Sequence, residues 1–292
     1  MATPAAEVDV DVPLVRALLR DQHPDLADLP LEVVADGWDN VIVRLGDLLA
    51  VRLPRRAAAA ALIEHEQRWL PEIAQRVAAV VPVPDPVRTG RPAFGYPWSW
   101  SVVRWLPGTP AGTRTGGVQV AETLAAFVDL LHVPAPEDAP VNPFRAVPLA
   151  TRSDAVLTRL DTEDVPRARE LAAVWRAAVA LPAYAGPPVW VHGDLHPFNV
   201  LLEESASGGT RLAAVLDFGD VTAGDPAVDL ATAWLTLDRE ARRTFRAHVT
   251  ADDDTWERAR GWAVSIASAL SLSDDRTFRA AARRAIDAVL DG

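Results

Sequence analysis

Val189–Asp220 reads VWVHGDLHPFNVLLEESASGGTRLAAVLDFGD. Apolar runs flank two polar clusters: His192, Asp194, His196 and Asn199 in the first, Asp217 and Asp220 in the second. An ionised carboxylate among apolar residues needs a partner or a metal to offset its desolvation. Short strands are predicted at 189–192, 200–202 and 212–217, with ESASGG as the turn between the last two. Such a hairpin brings the clusters together. Two chemistries use residues of these types, a metallohydrolase built on His and Asp and a phosphoryl transfer built on Asp and Asn.

In an extended segment His192, Asp194 and His196 share one face, a plausible ligand set. Pro197 ends any such strand at once, and His23, His65, His132 and His248 fall in no ligand-like spacing. Phosphoryl transfer accounts for more residues. Four residues separate Asp194 from Asn199, and Asp217-Phe218-Gly219 follows, which is the kinase order of catalytic Asp, Asn and D-F-G. A carboxylate must accept the proton of the attacking hydroxyl. An amide oxygen and a second carboxylate suit a hard cation held against phosphates.

Outward from this stretch the chain changes character. A helix is predicted at 12–20, then strands at 31–36, 40–45 and 48–53, broken by GWDN and GD. RRAAAAALIEHEQRWLPEIAQRVAAV is a long helix to cover that meander, and further β-rich pieces lie near 83–89 and 98–105. LPGTPAGTRTGG, residues 106–117, is crowded with turn formers and marks a boundary. Beyond it the pattern is helical at 118–132, about 153–180, 227–249 and 253–290. The expectation is an α+β, two-lobed fold: a β-rich N-lobe, residues 1–105, and a mainly helical C-lobe, residues 106–292.

Composition narrows the partners. The 292 residues carry 49% hydrophobic and 24% charged side chains, as an ordinary globular chain does. No apolar run reaches the length of a membrane span, and the acidic start lacks the signature of a signal peptide, so a cytoplasmic protein is expected. Cysteine is absent, which excludes disulfides, thiol nucleophiles and Cys-ligated zinc. The net charge of −11 argues against a nucleic-acid partner. Residues 1–105 hold 14 acidic against 11 basic side chains and the remainder 26 against 18, so the second half is the more acidic, at −8. All 29 basic residues are Arg, so a mechanism that needs lysine must use arginine here.

HGDLHPFNVLL, LAAVLDFGDVTAGDPAVDLATAW and VRWLPG together resemble the aminoglycoside phosphotransferase family, small-molecule antibiotic kinases with a protein-kinase-like fold. The resemblance runs from about Val33 to the C-terminus. It implies Asp194 as catalytic base, Asn199 and Asp217 as magnesium ligands, His192 as a brace of the loop, and Asp229 as support for the loop backbone. Asp225-Pro226 reads as a helix cap. In the N-lobe it implies Arg52 on AVRLP as the cation for the nucleotide phosphates, paired with Glu66; Glu64 is the competing partner, but Leu62, Trp69 and Leu70 place Glu66 on the inward helix side. The full glycine motif is missing. DGWDN, with Gly37 and Asn40, takes the place of the nucleotide-covering turn, and the backbone of Val103 to Trp105 is expected to meet the purine. The co-substrate implied is ATP or GTP with Mg2+.

The implied acceptor is a hydroxyl of a small molecule, most often an antibiotic. An acidic second half suits a cationic one such as an aminoglycoside or basic peptide. Trp234, Trp256 and Trp262 are candidates for stacking on sugars or lining a macrolide pocket, with core packing as the alternative. ADDDTWE, residues 251–257, could face a cation or open a helix. Two further readings stay open, a metabolic kinase of a small alcohol (amino sugar, choline or homoserine) and a silent kinase-like binding protein.

Overall fold

The computed structural model describes residues 5–205 and 208–292, so Ala206 and Ser207 of the ESASGG turn lie outside the described residues. Two compact units are present: one holds the described residues up to Gln75 with Val83–Leu106, the other Arg76–Pro82 with Pro107–Gly292. The first contains a β-sheet and the second is mainly helical.

In the first unit, α1 (Val12–Gln22) opens on Asp11, whose side chain accepts the Leu14 amide. Strands β1 (Leu31–Asp36), β2 (Asn40–Leu45), β3 (Leu49–Pro54), β4 (Pro86–Gly90) and β5 (Trp100–Arg104) form one antiparallel sheet in the order β1-β2-β3-β5-β4. Along β2 burial alternates, with Val41, Val43 and Leu45 inside, whereas β3 is buried on both faces from Ala50 to Pro54. Val15, Leu18 and Leu19 of α1 join Val43, Leu53, Tyr96 and Trp100 in one core. The long helix α2 (Ala57–Val77) follows β3.

The second unit begins with the two-residue strand β6 (Thr109–Pro110) and α3 (Val118–Leu131). The helical stretch expected at 153–180 is two helices, α4 (Ser153–Leu160) and α5 (Ala168–Val179), because Arg167 turns left-handed between them. Then come β7 (Val189–Val191), β8 (Val200–Glu204), β9 (Thr210–Val215) and a strand not expected, β10 (Thr222–Gly224), which pairs antiparallel with β7. The hairpin β8–β9 has its predicted pairing, and β6 adds to its edge.

The stretch expected as one helix at 227–249 divides into α6 (Ala227–Leu230), α7 (Thr232–Leu235) and α8 (Arg239–His248). The one at 253–290 divides into α9 (Asp253–Ser271) and α10 (Arg276–Leu290). Two of the breaks are chemical: Asp238 and Asp275 each turn a carboxylate onto an amide of the helix that follows, as Asp252 does at the expected start of the last stretch. Asp252 thus caps α9, which accounts for part of the acidic run ADDDTWE. Trp234, Trp256 and Trp262 are all buried, so the core claims them. No helix among the described residues is long and apolar enough to cross a membrane.

Candidate active site

Strand β7 delivers the chain to His192 and Gly193. Gly193 has φ +83°, and a Cβ there would stand 2.5 Å from the Asp220 carbonyl oxygen, so only glycine fits. Asp229 of α6 is fully buried beneath this turn. Its carboxylate accepts the amides of His192 at 2.7 Å and Gly193 at 2.9 Å, and His132 Nε2 lies 3.1 Å away. His192 spends both ring nitrogens on backbone: Nδ1 accepts the Asp194 amide at 3.2 Å, and Nε2 meets the Leu216 carbonyl at 2.8 Å. Its ring also packs on Phe218. A histidine used in this way has no nitrogen left for a metal, which removes the His-Asp-His ligand set.

From Asp194 the loop closes on itself. The Asp194 carbonyl accepts the His196 amide at 2.8 Å and Asn199 Nδ2 at 3.0 Å. With the amide nitrogen engaged, Oδ1 is the Asn199 atom that can hold a cation. The Asn199 carbonyl accepts the Leu216 amide at 2.8 Å, which fastens the loop to the chain entering Asp217. Asp217 has φ 62°, a left-handed conformation that a short polar side chain tolerates. Phe198 stacks flat on Phe278 of α10 at 3.8 Å. His196 Nε2 stands 3.6 Å from Asp194 Oδ2.

Motif reading did not find Arg145. Its Nη2 donates to Asp194 Oδ1 at 2.8 Å and its Nε to Asp220 Oδ2 at 3.4 Å. Asn142 Nδ2 donates to the other oxygen of Asp220 at 2.7 Å. This gives Asp220, left without a role by its spacing alone, a place in the network. Burial works to raise the Asp194 carboxyl, but Arg145, then His196 and His192, outweigh it and hold the group below the usual carboxylate range. Asp220 moves the other way, raised by burial against the pull of Arg145 and pushed further by Asp194 and Asp217. Two neighbouring carboxylates are thus driven apart, with Asp194 the one kept ionised. Asp225 accepts the Ala227 amide at 3.0 Å and also pairs with Arg258 at 2.8 Å, both side chains buried.

In the first unit, Arg52 Nη1 donates to Glu66 Oε1 at 2.8 Å, with both side chains almost wholly buried. Glu64 instead accepts the Ser99 hydroxyl at the surface, so Glu66 is the partner. Asn40 opens β2, and its carbonyl accepts the Gly37 amide at 3.0 Å across the DGWDN turn. Val103 is paired with Ala50 of β3 and Pro86 of β4. The Trp105 amide donates to the Leu48 carbonyl at 2.8 Å.

The donor set fits magnesium. Among the described residues no three His, Cys, Asp or Glu side chains gather as a metal cage. Magnesium is commonly held by one or two carboxylates together with substrate phosphates, and Asn199 Oδ1 and Asp217 are a set of that size.

A family model for the phosphotransferase enzyme family matches residues 30–262. The chain belongs to that family. It is therefore a phosphotransferase, and its fold is shared with solved members. The GDP complex of aminoglycoside 2'-phosphotransferase-IIIa superposes with a TM-score of 0.70 over 97% of this chain and 99% of that one, at 18% identity. Macrolide 2'-phosphotransferase MphH from Brachybacterium faecium, an apoenzyme, gives 0.58 over 95% and 98%, at 21% identity. The streptomycin–ATP complex of APH(2")-IIa gives 0.59 over 91% and 92%, at 14% identity. Identities this low speak for the fold alone.

Proposed function

We propose that this phosphotransferase moves the γ-phosphate of ATP or GTP to a hydroxyl of a small molecule in the cytoplasm. Antibiotics are the acceptor class that the similar structures suggest, and resistance is then the outcome. Asp194 accepts the hydroxyl proton as the oxygen attacks, and its depressed pKa keeps it ionised for that task. Arg52, oriented by Glu66, clamps the nucleotide phosphates. Asn199 and Asp217 hold Mg2+, which when bound offsets the phosphate charge. Asn40 and the Val103–Trp105 backbone receive the rest of the nucleotide. His192 and Asp229 fix the loop on which Asp194 rides.

One observation carries this reading. The loop that bears Asp194 and Asn199 is held to the segment that bears Asp217 by the Leu216 amide on the Asn199 carbonyl and by His192 Nε2 at the Leu216 carbonyl, so base and cation ligands form one assembly. Nucleotide consumption by the purified protein, screened against aminoglycosides, macrolides, basic peptide antibiotics and metabolic alcohols, tests it. Acceptor-dependent consumption that requires Mg2+ is expected. Turnover of an acceptor without any nucleotide would overturn it.

A further inference from the structure

The segment 140–146 carries no motif, yet it is strapped firmly beside Asp194. The Pro140 carbonyl accepts the Thr222 hydroxyl at 2.8 Å and the Ala223 amide at 3.0 Å. The Asn142 amide donates to Thr222 Oγ1 at 2.9 Å, and the Ala146 carbonyl accepts the Asp225 amide at 3.2 Å. A Cβ on Gly224 would stand 2.5 Å from that carbonyl oxygen, so β10 meets the segment with no side chain between them. The strap fixes Arg145 on Asp194 and Asp220, while Val141 and Phe144 are 78% and 57% exposed.

Two further arginines lie within electrostatic reach of Arg145. Arg152, seven residues after Arg145, lies over the Phe144 ring at 5.1 Å. Its Nε is buried without a hydrogen-bond partner, and no carboxylate among the described residues pairs with it. Arg159, seven residues further, donates to the Ser265 carbonyl at 3.1 Å and the Ser268 hydroxyl at 3.3 Å rather than to a carboxylate. Burial and then the charge of Arg145 lower the pKa of Arg152; burial, then Arg152 and Arg145, lower that of Arg159. Three guanidinium groups therefore feel one another, and only Arg145 has carboxylates. A partly buried cation among like charges is unfavourable unless an anion compensates it.

We propose that Arg152 and Phe144 form part of the acceptor subsite, and that the acceptor bears an oxyanion for Arg152 and an apolar portion for Phe144 and Val141. Arg145 already occupies an oxygen of Asp194 and one of Asp220, the carboxylates that an ammonium beside the reacting hydroxyl would seek. A polycation is the wrong shape of charge for this wall. The proposal rests on the phosphotransfer reading of Asp194, and narrows its acceptor class.

Three probes share one ring and differ in charge: p-nitrophenyl β-D-glucuronide, the glucoside and the 2-amino-2-deoxyglucoside. Calorimetric titration of each into the wild-type protein should give glucuronide binding about tenfold tighter than the amino sugar, with the glucoside between them. Arg152→Lys should keep that order and Arg152→Glu should invert it, with Arg152→Gln replacing the reversal if Arg152→Glu does not melt cooperatively. Equal or tighter binding of the amino sugar by wild type, binding of none, or an order unchanged in Arg152→Glu (or in Arg152→Gln) would overturn the proposal. Magnesium-dependent ATP or GTP binding is titrated on the same sample. Its absence overturns phosphotransfer itself, and its presence with the wrong probe order overturns only the acceptor assignment.

Discussion

Among the described residues the two oxygens of Asp194 are held unequally, Oδ1 by Arg145 Nη2 at 2.8 Å and Oδ2 by His196 Nε2 at 3.6 Å. The less engaged oxygen is the better placed to take a proton. Asp194→Asn keeps the shape and removes the base, so kcat should fall by about 10²–10⁴ while nucleotide affinity in a binding titration stays near wild type. A pH profile examines the charges around it. Asp194 must be ionised to act, and Arg145, His196 and His192 hold its carboxyl low against burial, with Asp220 and Asp217 as the nearby acidic groups. Arg145→Gln should therefore move the acid limb of kcat to higher pH; a limb that stays in place would contradict the role of Arg145. In the other unit, Arg52→Ala should raise the nucleotide KM and depress kcat, and Arg52→Lys should restore only part, because a point charge cannot reproduce the guanidinium fork. Steady-state kinetics with nucleotide varied would show it, and wild-type-like values for Arg52→Ala would dismiss the clamp. Asp194, Asn199 and Asp217 could be proposed from the sequence because their signal lies in short spacings. Arg145 could not, since it stands 49 positions before Asp194 and only the fold joins them.

At the scale of elements, a loop, a hairpin and the short helix α6 share one fastening. Asp229→Ala would strip the His192 and Gly193 amides of their acceptor in a fully buried place. Each buried amide so orphaned costs about 1–3 kcal/mol, so chemical denaturation should show a loss of about 3 kcal/mol or more. A loss under about 1 kcal/mol would mean that the bonds are replaced on relaxation. Gly193→Ala confronts both a positive φ and the Asp220 carbonyl, and activity should fall with it. The sequence showed β8 and β9 through apolar runs bounded by a Gly-rich turn. It hid β10, because Thr-Ala-Gly has no pattern and becomes a strand only through β7. Helical periodicity also ran across real breaks. At two of them the signal was present, Asp238 and Asp275, but a lone Asp among helical spacing reads equally as a surface residue until its carboxylate is seen on an amide.

Across the molecule, the first unit holds the pair Arg52–Glu66 and the second holds Asp194, Asn199 and Asp217, so the groups proposed for nucleotide and for catalysis belong to different units. Net charge is coarse at this scale. The second half sums to −8, yet Arg152 and Arg159 lie within electrostatic reach of Arg145, because a total says nothing about where each sign is placed. The absence of lysine was informative from the sequence, since any basic partner of Glu66 had to be an arginine, and its buried partner is Arg52. The central claim is that Asp194 and Asp217 serve one magnesium-dependent phosphoryl transfer. The direct measurement is release or transfer of the γ-phosphate of ATP and GTP by wild type, Asp194→Asn and Asp217→Ala, with Mg2+ present and chelated. Wild type should turn over only with Mg2+, Asp194→Asn should bind nucleotide yet lose about 10² or more in rate, and Asp217→Ala should lose magnesium-dependent binding. Wild-type rates in either variant, or turnover that survives chelation, would contradict the account.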